Sequence, residues 1–248
     1  MAGPTRLVLR AVARRATRST MTNPLDRPIW HALAGRQARF AAAGGGGLAR
    51  CFVAEMSPFV ACRDDGDAAQ AAVAGLVPDG GELVFLQRGA APVPPGTIEV
   101  ERLVAVQMVA AGFAPTKPPT GVVALGADDG PAMLALAALA QPGPFRRRTP
   151  DFSQFWGVKD GAGALLAMAG ERLKLAGMSE VSGVCTDPGA RGRGLAALLS
   201  RHVASEIARR GETPFLHAHA GNDGAIRLYQ RLGFRWRCDV SALVVRRG

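Results

Sequence analysis

The chain has 248 residues, of which 48% are apolar and 20% are charged, enough apolar material for one large globular core or two ordinary ones. Every long apolar stretch is broken by Gly, Pro or charge before it reaches the ~18–20 residues of a membrane span, so a membrane protein is not expected. The formal net charge of +10 comes mainly from arginine.

Residues 1–20 form a basic tail with five arginines, and no acidic residue precedes Asp26. This pattern occurs in mitochondrial transit peptides and in nucleic-acid-binding arms. However, the Ala-, Gly-, Arg- and Pro-rich usage of the whole chain is typical of a GC-rich bacterial genome, in which a start codon is easily assigned too far upstream. We therefore expect a disordered, solvated tail that binds no nucleic acid specifically, and Met1 or Met21 as the true start.

The four cysteines, Cys51, Cys62, Cys185 and Cys238, include no C-x-x-C pair. Their spacing predicts neither a zinc site nor a disulfide framework, so we expect no metal cofactor and a reducing, cytoplasmic location.

The first half of the chain predicts a helix from Asp26 to just before Gly44, with Asp26 as its N-cap. The other elements predicted there are strands over 51–56, 59–62, 82–87 and 98–109 and an Ala-rich helix over 67–76. The Pro-rich stretch 114–121 is the best candidate for a linker. These features predict an N-terminal α+β domain over 21–116 and a second domain over 117–248.

The second half has a steadier pattern of strands and helices. Strands are predicted over 122–125, 155–158, 164–173, 178–186 and 214–220, helices over 128–139, 192–210 and 223–232, and a strand or hairpin over 234–245.

A glycine-spaced basic loop, 187–194, separates the predicted strand 178–186 from an amphipathic helix. Glycines at 192 and 194 allow backbone N–H groups to approach a ligand, and the positive end of the helix dipole points at the same place. The sequence therefore predicts an anion site suited to a phosphate or pyrophosphate. A P-loop is excluded because no Gly-Lys pair occurs, and a Rossmann fingerprint is disfavoured because only about fifty residues follow the loop.

Two motifs carry a family resemblance. Arg191-Gly-Arg-Gly-Leu-Ala196 resembles the Arg/Gln-x-x-Gly-x-Gly/Ala signature of the GNAT superfamily of acyl-CoA-dependent N-acetyltransferases. The segment from Asn222 to Phe234 resembles the superfamily's Asn-x-x-Ala-x-x-Leu-Tyr-x-x-x-Gly-Phe segment. The resemblance covers roughly 121–247 and implies an α/β fold with a mixed, mainly antiparallel sheet flanked by helices.

The first half resembles, more weakly, the N-terminal partner domain of glycine N-acyltransferase-like members, which can be a degenerate copy of the same fold. An unrelated small α+β domain is the alternative. The resemblance implies an enzyme that transfers an acetyl group from acetyl-CoA to a primary amine on a small molecule, amino acid or peptide.

The resemblance also implies a set of cofactor-binding residues: Val184, Cys185, Thr186, Arg191, Gly192, Arg193, Gly194, Leu195, Ala196 and Asn222. The amides of the glycine loop would bind the pyrophosphate of coenzyme A, and its two arginines would add positive charge. The backbone of 184–186 would pair with the pantetheine arm and donate an N–H to the thioester oxygen. Cys185 is expected to be a buried strand cysteine, not a nucleophile.

Tyr229 stands where the superfamily commonly places the acid that reprotonates the thiolate, and a phenol with pKa ~10 suits that role. Glu180, on the strand before the loop, is the expected general base, acting directly or through water. Glu171 is the alternative base, and His217 and His219 are expected to be ordinary strand histidines.

A catalytically silent acyl-CoA-binding regulatory module is the alternative function. The sequence leaves open the acceptor, the acyl chain length and the oligomeric state, a dimer included. Arg146, Arg147 and Arg148 favour an anionic acceptor unless they form a solvated surface.

Overall fold

The computed structural model describes residues 23–248, so the predicted tail over 1–20 lies outside the described residues. The helices are α1 (Pro28–Ala34), α2 (Asp67–Ala74), α3 (Gly130–Ala140), α4 (Leu195–Arg209) and α5 (Asp223–Arg231). The strands are β1 (Ala49–Cys51), β2 (Val60–Cys62), β3 (Glu82–Arg88), β4 (Thr97–Val109), β5 (Val123–Leu125), β6 (Phe155–Lys159), β7 (Leu165–Leu175), β8 (Met178–Thr186), β9 (Thr213–His219) and β10 (Arg235–Arg247). Within 23–248, no helix is both long and apolar enough to cross a bilayer.

Eight of these strands form one sheet in the order β3-β10-β4-β9-β8-β7-β6-β5, and β1 pairs with β2 separately. Neighbouring strands of the large sheet are antiparallel except β8 and β9, which are parallel. The expected mixed, mainly antiparallel sheet flanked by helices is confirmed.

The predicted boundary between residues 116 and 117 falls between β4 and β5. β3 and β4 lie before this boundary, yet both pair with β10, and β4 also pairs with β9. The large sheet therefore runs across the boundary. The division of the chain into two folding units stays a prediction.

The two faces of the sheet carry different cores. On one face, Leu199, Val203 and Ile207 of α4 pack against the sheet, which confirms the predicted apolar stripe of this helix. On the other face, Ile29 and Leu33 of α1 are fully buried in a second apolar cluster. Burial of side chains of this size stabilises the fold by roughly 1.5–3 kcal/mol each.

The long helix predicted from Asp26 is wrong. The segment instead contains two 3-10 helices, Pro24–Asp26 and Ala38–Phe40, with the short α1 between them. The Asp26 carboxylate does not cap α1, because it accepts a hydrogen bond from Arg237 Nη2 at 2.6 Å. Asp26 therefore forms an ion pair with a residue that is distant in sequence and does not cap a local helix.

The parallel strands β8 and β9 pair only where Met178–Glu180 faces Thr213–Phe215. Beyond this point β8 contains an extra residue relative to β7, a β-bulge centred on Gly183, whose φ is +62°. A bulge bends its strand and increases its twist. A gap therefore opens between the distal halves of β8 and β9.

Candidate active site

A cavity of about 1120 Å³ occupies the gap between β8 and β9. Its lining includes Leu195 and Tyr229 from the α4 and α5 side of the sheet. It also includes Phe59, Val84 and Leu86 from the α1 side. The cavity thus connects the two faces through the sheet.

Ten of the twelve site residues predicted from the sequence line this cavity: Val184, Cys185, Thr186, Arg191, Gly192, Gly194, Leu195, Ala196, Asn222 and Tyr229. Arg193 is exposed and Glu180 is buried, and neither belongs to the lining.

The glycine loop has the geometry of an open anion site. Gly192 and Gly194 both have φ of +76°, and a Cβ at either position would meet nothing within 4 Å. The first backbone bond of α4 runs from Leu198 N to Gly194 O, so the amides before Leu198 belong to the open first turn of a 15-residue helix. These amides are available to an anion on the open side of the loop.

The edge of β8 that faces the gap is also open. Cys185 and Thr186 pair with β7 on one side, whereas β9 has already diverged on the other. Cys185 is 2% exposed, and burial raises the pKa of its thiol to about 12. The thiol therefore stays protonated, which agrees with a structural role for this cysteine.

Tyr229 lies on α5 with its side chain against the apolar cluster below the cavity, and its ring packs edge-on against Phe234 at 6.0 Å. Burial raises the pKa of Tyr229 to about 12, and the neighbouring Ser200 hydroxyl offsets part of the rise. The phenol therefore carries its proton at neutral pH. At the start of α5, Asn222 Oδ1 accepts a hydrogen bond from Ala225 N at 3.0 Å, so Asn222 caps this helix.

Glu180 has a different environment from the one expected of a base. It is 0% exposed, and its two oxygens accept from Arg172 Nη2 at 2.7 Å, Arg172 Nε at 3.0 Å, Leu173 N at 3.2 Å and His217 Nδ1 at 2.8 Å. Four donors occupy the roughly four lone-pair positions of a carboxylate. Burial disfavours its charge, but Arg172 and the bond from His217 prevail and lower the pKa of Glu180 to about 2. Glu180 thus has neither a free lone pair nor the basicity to take a proton from an amine.

The alternative base, Glu171, is also buried and does not line the cavity. Its carboxylate accepts from Arg210 Nη2 at 2.7 Å and lies 3.4 Å from Lys174 Nζ. His219 does line the cavity, and its Nδ1 accepts from Gly221 N at 3.1 Å.

His217 belongs to a row of polar side chains that crosses five adjacent strands. From β10 to β7, Arg237 Nη1 donates to Gln107 Oε1 at 2.8 Å, and Gln107 Nε2 lies 2.9 Å from His217 Nε2. His217 Nδ1 then bonds to Glu180, and Glu180 to Arg172. Because the Gln107 oxygen accepts from Arg237, its amide nitrogen must donate to His217 Nε2, and the histidine proton lies on Nδ1.

Three charged residues of the lining, Glu101, Arg172 and Arg231, are absent from the set predicted from sequence. Glu101 is exposed and is the only carboxylate among the residues that line the cavity in the described chain. Period-two alternation along β4 would place Glu101, Leu103 and Ala105 on one face, but the sequence alone does not say that this face meets a cavity.

Within residues 23–248, no group of three or more His, Cys, Asp or Glu side chains is arranged to hold a metal ion. All four cysteines are free and buried.

Known proteins resemble this chain at the level of family, sequence and structure. A model of the FR47-like protein family matches residues 156–243. The crystal structure of a putative acetyltransferase from the GNAT family of Novosphingobium aromaticivorans is 41% identical, covers 91% of this chain and 99% of that chain, and superimposes with a TM-score of 0.85.

More distant relatives cover less of the chain or share only the fold. A mycothiol acetyltransferase of Mycobacterium sp. (strain JLS) is 34% identical over 94 residues, which is 36% of this chain and 30% of that protein. The chain therefore spans less than a third of this curated relative. A GCN5-related N-acetyltransferase from Kribbella flavida has a TM-score of 0.61 over 89% of this chain and 95% of its own, at 19% identity.

Proposed function

Because the chain belongs to the GNAT family of acetyltransferases, we propose that it transfers an acetyl group from acetyl-CoA to a primary amine by direct attack in a ternary complex. The observation that carries the proposal is the cavity, which joins an open helix N-terminus and a protonated tyrosine on one face of the sheet to a pocket with apolar walls on the other. The mycothiol acetyltransferase and the putative GNAT acetyltransferase that resemble this chain support acetyl-CoA as the donor.

The glycine loop and the open edge of β8 hold the cofactor. The amides of 192–196 bind the pyrophosphate, and Arg191, which lines the cavity, adds charge more directly than Arg193, which does not. The open backbone edge of Val184, Cys185 and Thr186 pairs with the amide groups of the pantetheine arm. Bound acetyl-CoA supplies an activated thioester at this edge.

The chain's own residues then perform three tasks. A backbone N–H of the bulged segment of β8 polarises the thioester carbonyl. Tyr229 Oη holds the proton that a departing thiolate needs, because its pKa of about 12 keeps it protonated. The buried walls on the α4 and α5 side exclude water from the reacting bond.

Glu180 has a positioning role in this reaction, because the four donors that bind its carboxylate leave it unable to take up a proton. The amine instead loses its proton to water in the open cleft. Since Phe59, Val84 and Leu86 come from the first half of the chain, we also propose that this half supplies the acceptor side, as an N-terminal partner domain of the glycine N-acyltransferase-like kind would.

Calorimetric titration with acetyl-CoA, beside a panel of amines followed by release of free thiol, tests the proposal. Binding with turnover of an amine supports the enzyme. Binding without turnover of any amine would favour the silent acyl-CoA-binding module, and absence of binding would contradict the assignment of 191–196.

A further inference from the structure

The Arg172 guanidinium is hydrogen-bonded along one edge only. Its Nε and Nη2 bind Glu180 at 3.0 and 2.7 Å, whereas Nη1 makes no hydrogen bond to any residue of 23–248. A guanidinium carries five N–H donors in a fixed plane, so two of them are left on Nη1. Arg172 as a whole is 8% exposed and lines the cavity.

The guanidinium is held in place from several sides. Its central carbon lies 4.7 Å from the centre of the Phe59 ring. Glu180, its ion-pair partner, is fixed in turn by His217, and the row continues through Gln107 to Arg237. A donor held in this way loses little conformational entropy when it binds a ligand.

Glu180 does not compete for the free edge of Arg172. Each oxygen of this carboxylate already accepts two hydrogen bonds, two of them from Arg172 itself and two from His217 and Leu173. Nη1 is accessible from the cavity, and a hydrogen bond from a guanidinium to an anion is roughly twice as strong as one between neutral groups. The free edge of Arg172 therefore favours an anionic ligand from the cavity.

The remaining walls on this side of the sheet are mainly apolar. Val84 and Leu86 come from β3, Ala242 and Val244 from β10, and Leu103 from β4. Glu101, the only carboxylate among the lining residues within 23–248, is exposed and lies on β4 opposite Val244. A ligand that satisfies Arg172 and these walls has a carboxylate and an apolar body.

We infer that Arg172 Nη1 binds a carboxylate of the acceptor, so that the acceptor is an amino acid or a related amine with a carboxylate and an apolar body. This inference rests on the proposed function. The carboxylate anchored at Arg172 directs the amino group through the gap between β8 and β9 toward the open edge of Val184, Cys185 and Thr186.

The test compares three acceptors of the same shape on the wild-type protein: L-leucine, L-leucinamide and 3-methylbutylamine, each with acetyl-CoA and detection of free thiol. We expect kcat/KM for leucine to exceed that for each of the other two by at least about tenfold, since a hydrogen bond to a charged group is lost with the carboxylate. The same comparison is made on R172Q/E180Q, which removes both charges of the buried pair at once and avoids an unpaired carboxylate.

In R172Q/E180Q we expect the ratio of kcat/KM for leucine to kcat/KM for each of the other two amines to fall to within about twofold. R36Q is the matched control, because Arg36 also binds a glutamate, Glu212, through two nitrogens but does not line the cavity. R36Q should prefer leucine over the other two amines to the same extent as the wild-type protein. A wild-type protein that uses all three amines equally, or a preference that survives in R172Q/E180Q, would overturn the inference.

If the wild type turns over none of the amines, the proposed function fails, and binding decides the inference separately. Calorimetry with leucine in the presence of coenzyme A should then show binding to wild type and R36Q and at least tenfold weaker binding to R172Q/E180Q. Equal binding to all three proteins, or binding to none of them, would refute the role of Arg172.

Discussion

Glu180 and His217 are joined by a 2.8 Å hydrogen bond that closes the angle between two diverging strands. Glu180 is the last residue of β8 that pairs with β9, and His217 lies two residues beyond its partner, Phe215. The bond therefore sits at the point where the cavity begins. Both side chains are nearly inaccessible, at 1% and 4% exposure, so this contact forms the floor of the site.

The first prediction concerns acid stability. The pKa of Glu180 is lowered from 4.5 to about 2, so its contribution to stability is complete above pH 4.5 and is lost as the pH falls toward 2. E180Q should lower the free energy of unfolding by about 3 kcal/mol at pH 7, because it leaves Arg172 buried beside a neutral group. Urea unfolding at pH 7 and pH 3 measures this difference, which should shrink at the lower pH. A difference that is equal at both values would contradict the ionised state of Glu180.

The second prediction concerns the proton donor. Y229F removes the phenol proton but keeps the ring against Phe234, so it should reduce kcat by about 10²–10⁴-fold. The Kd for acetyl-CoA should change by less than about twofold, because the ring packing persists. Steady-state kinetics and calorimetry on the same preparation measure both.

W236F serves as the control for this substitution, since Trp236 is 60% exposed and lies outside the cavity lining. It should leave kcat and Kd unchanged. Full turnover in Y229F would remove Tyr229 as the acid.

The third prediction concerns the anion loop. G194A places a methyl group on the open side of the loop and strains a residue with φ of +76°, so it should weaken acetyl-CoA binding by at least about tenfold. Gly211, just beyond the other end of α4, has the same φ and the same open space around a Cβ. G211A should therefore lower the melting temperature by a similar amount and leave the Kd unchanged. Equal Kd values for the two variants would show that the loop does not approach the cofactor.

The fourth prediction concerns the bulge that opens the gap. A Cβ at Gly183 would lie 2.7 Å from the Phe155 ring, and its φ is +62°. G183A should therefore destabilise the protein by about 1–3 kcal/mol more than G177A, whose glycine has φ of +69° and open space around a Cβ. Denaturant midpoints of the two variants measure the difference. If both variants lose the same stability, the contact with Phe155 does not constrain the bulge.

The regular elements of the second half could be predicted because their signals are local. The spacing of Leu199, Val203 and Ile207 identifies α4, and Asn222 is followed by the apolar positions of α5. The glycine loop lies between β8 and α4, as the sequence predicts, and Gly192 and Gly194 there adopt positive φ values that glycine takes readily.

Features that depend on contacts between residues distant in sequence could not be predicted from local sequence patterns. Asp26 has the sequence context of a helix cap, but it binds Arg237, more than two hundred residues away. Glu180 lies on the expected strand, yet only the fold shows that Arg172 and His217 surround it. β4 and β10 lie far apart in sequence, so the pairing that carries the large sheet across the predicted domain boundary had no local signal.

The row of polar side chains that crosses β10, β4, β9, β8 and β7 restricts which residues of this pocket can be substituted. Each member satisfies its neighbours, so a substitution within the row disturbs partners on other strands. Val84, Leu86 and Val244 line the same cavity, but their apolar side chains take no part in this row of hydrogen bonds. Substitutions at these apolar positions can alter the size of the acceptor that fits, while the Arg172 guanidinium keeps its orientation. Selectivity for the apolar part of the acceptor and selectivity for its carboxylate can therefore evolve independently.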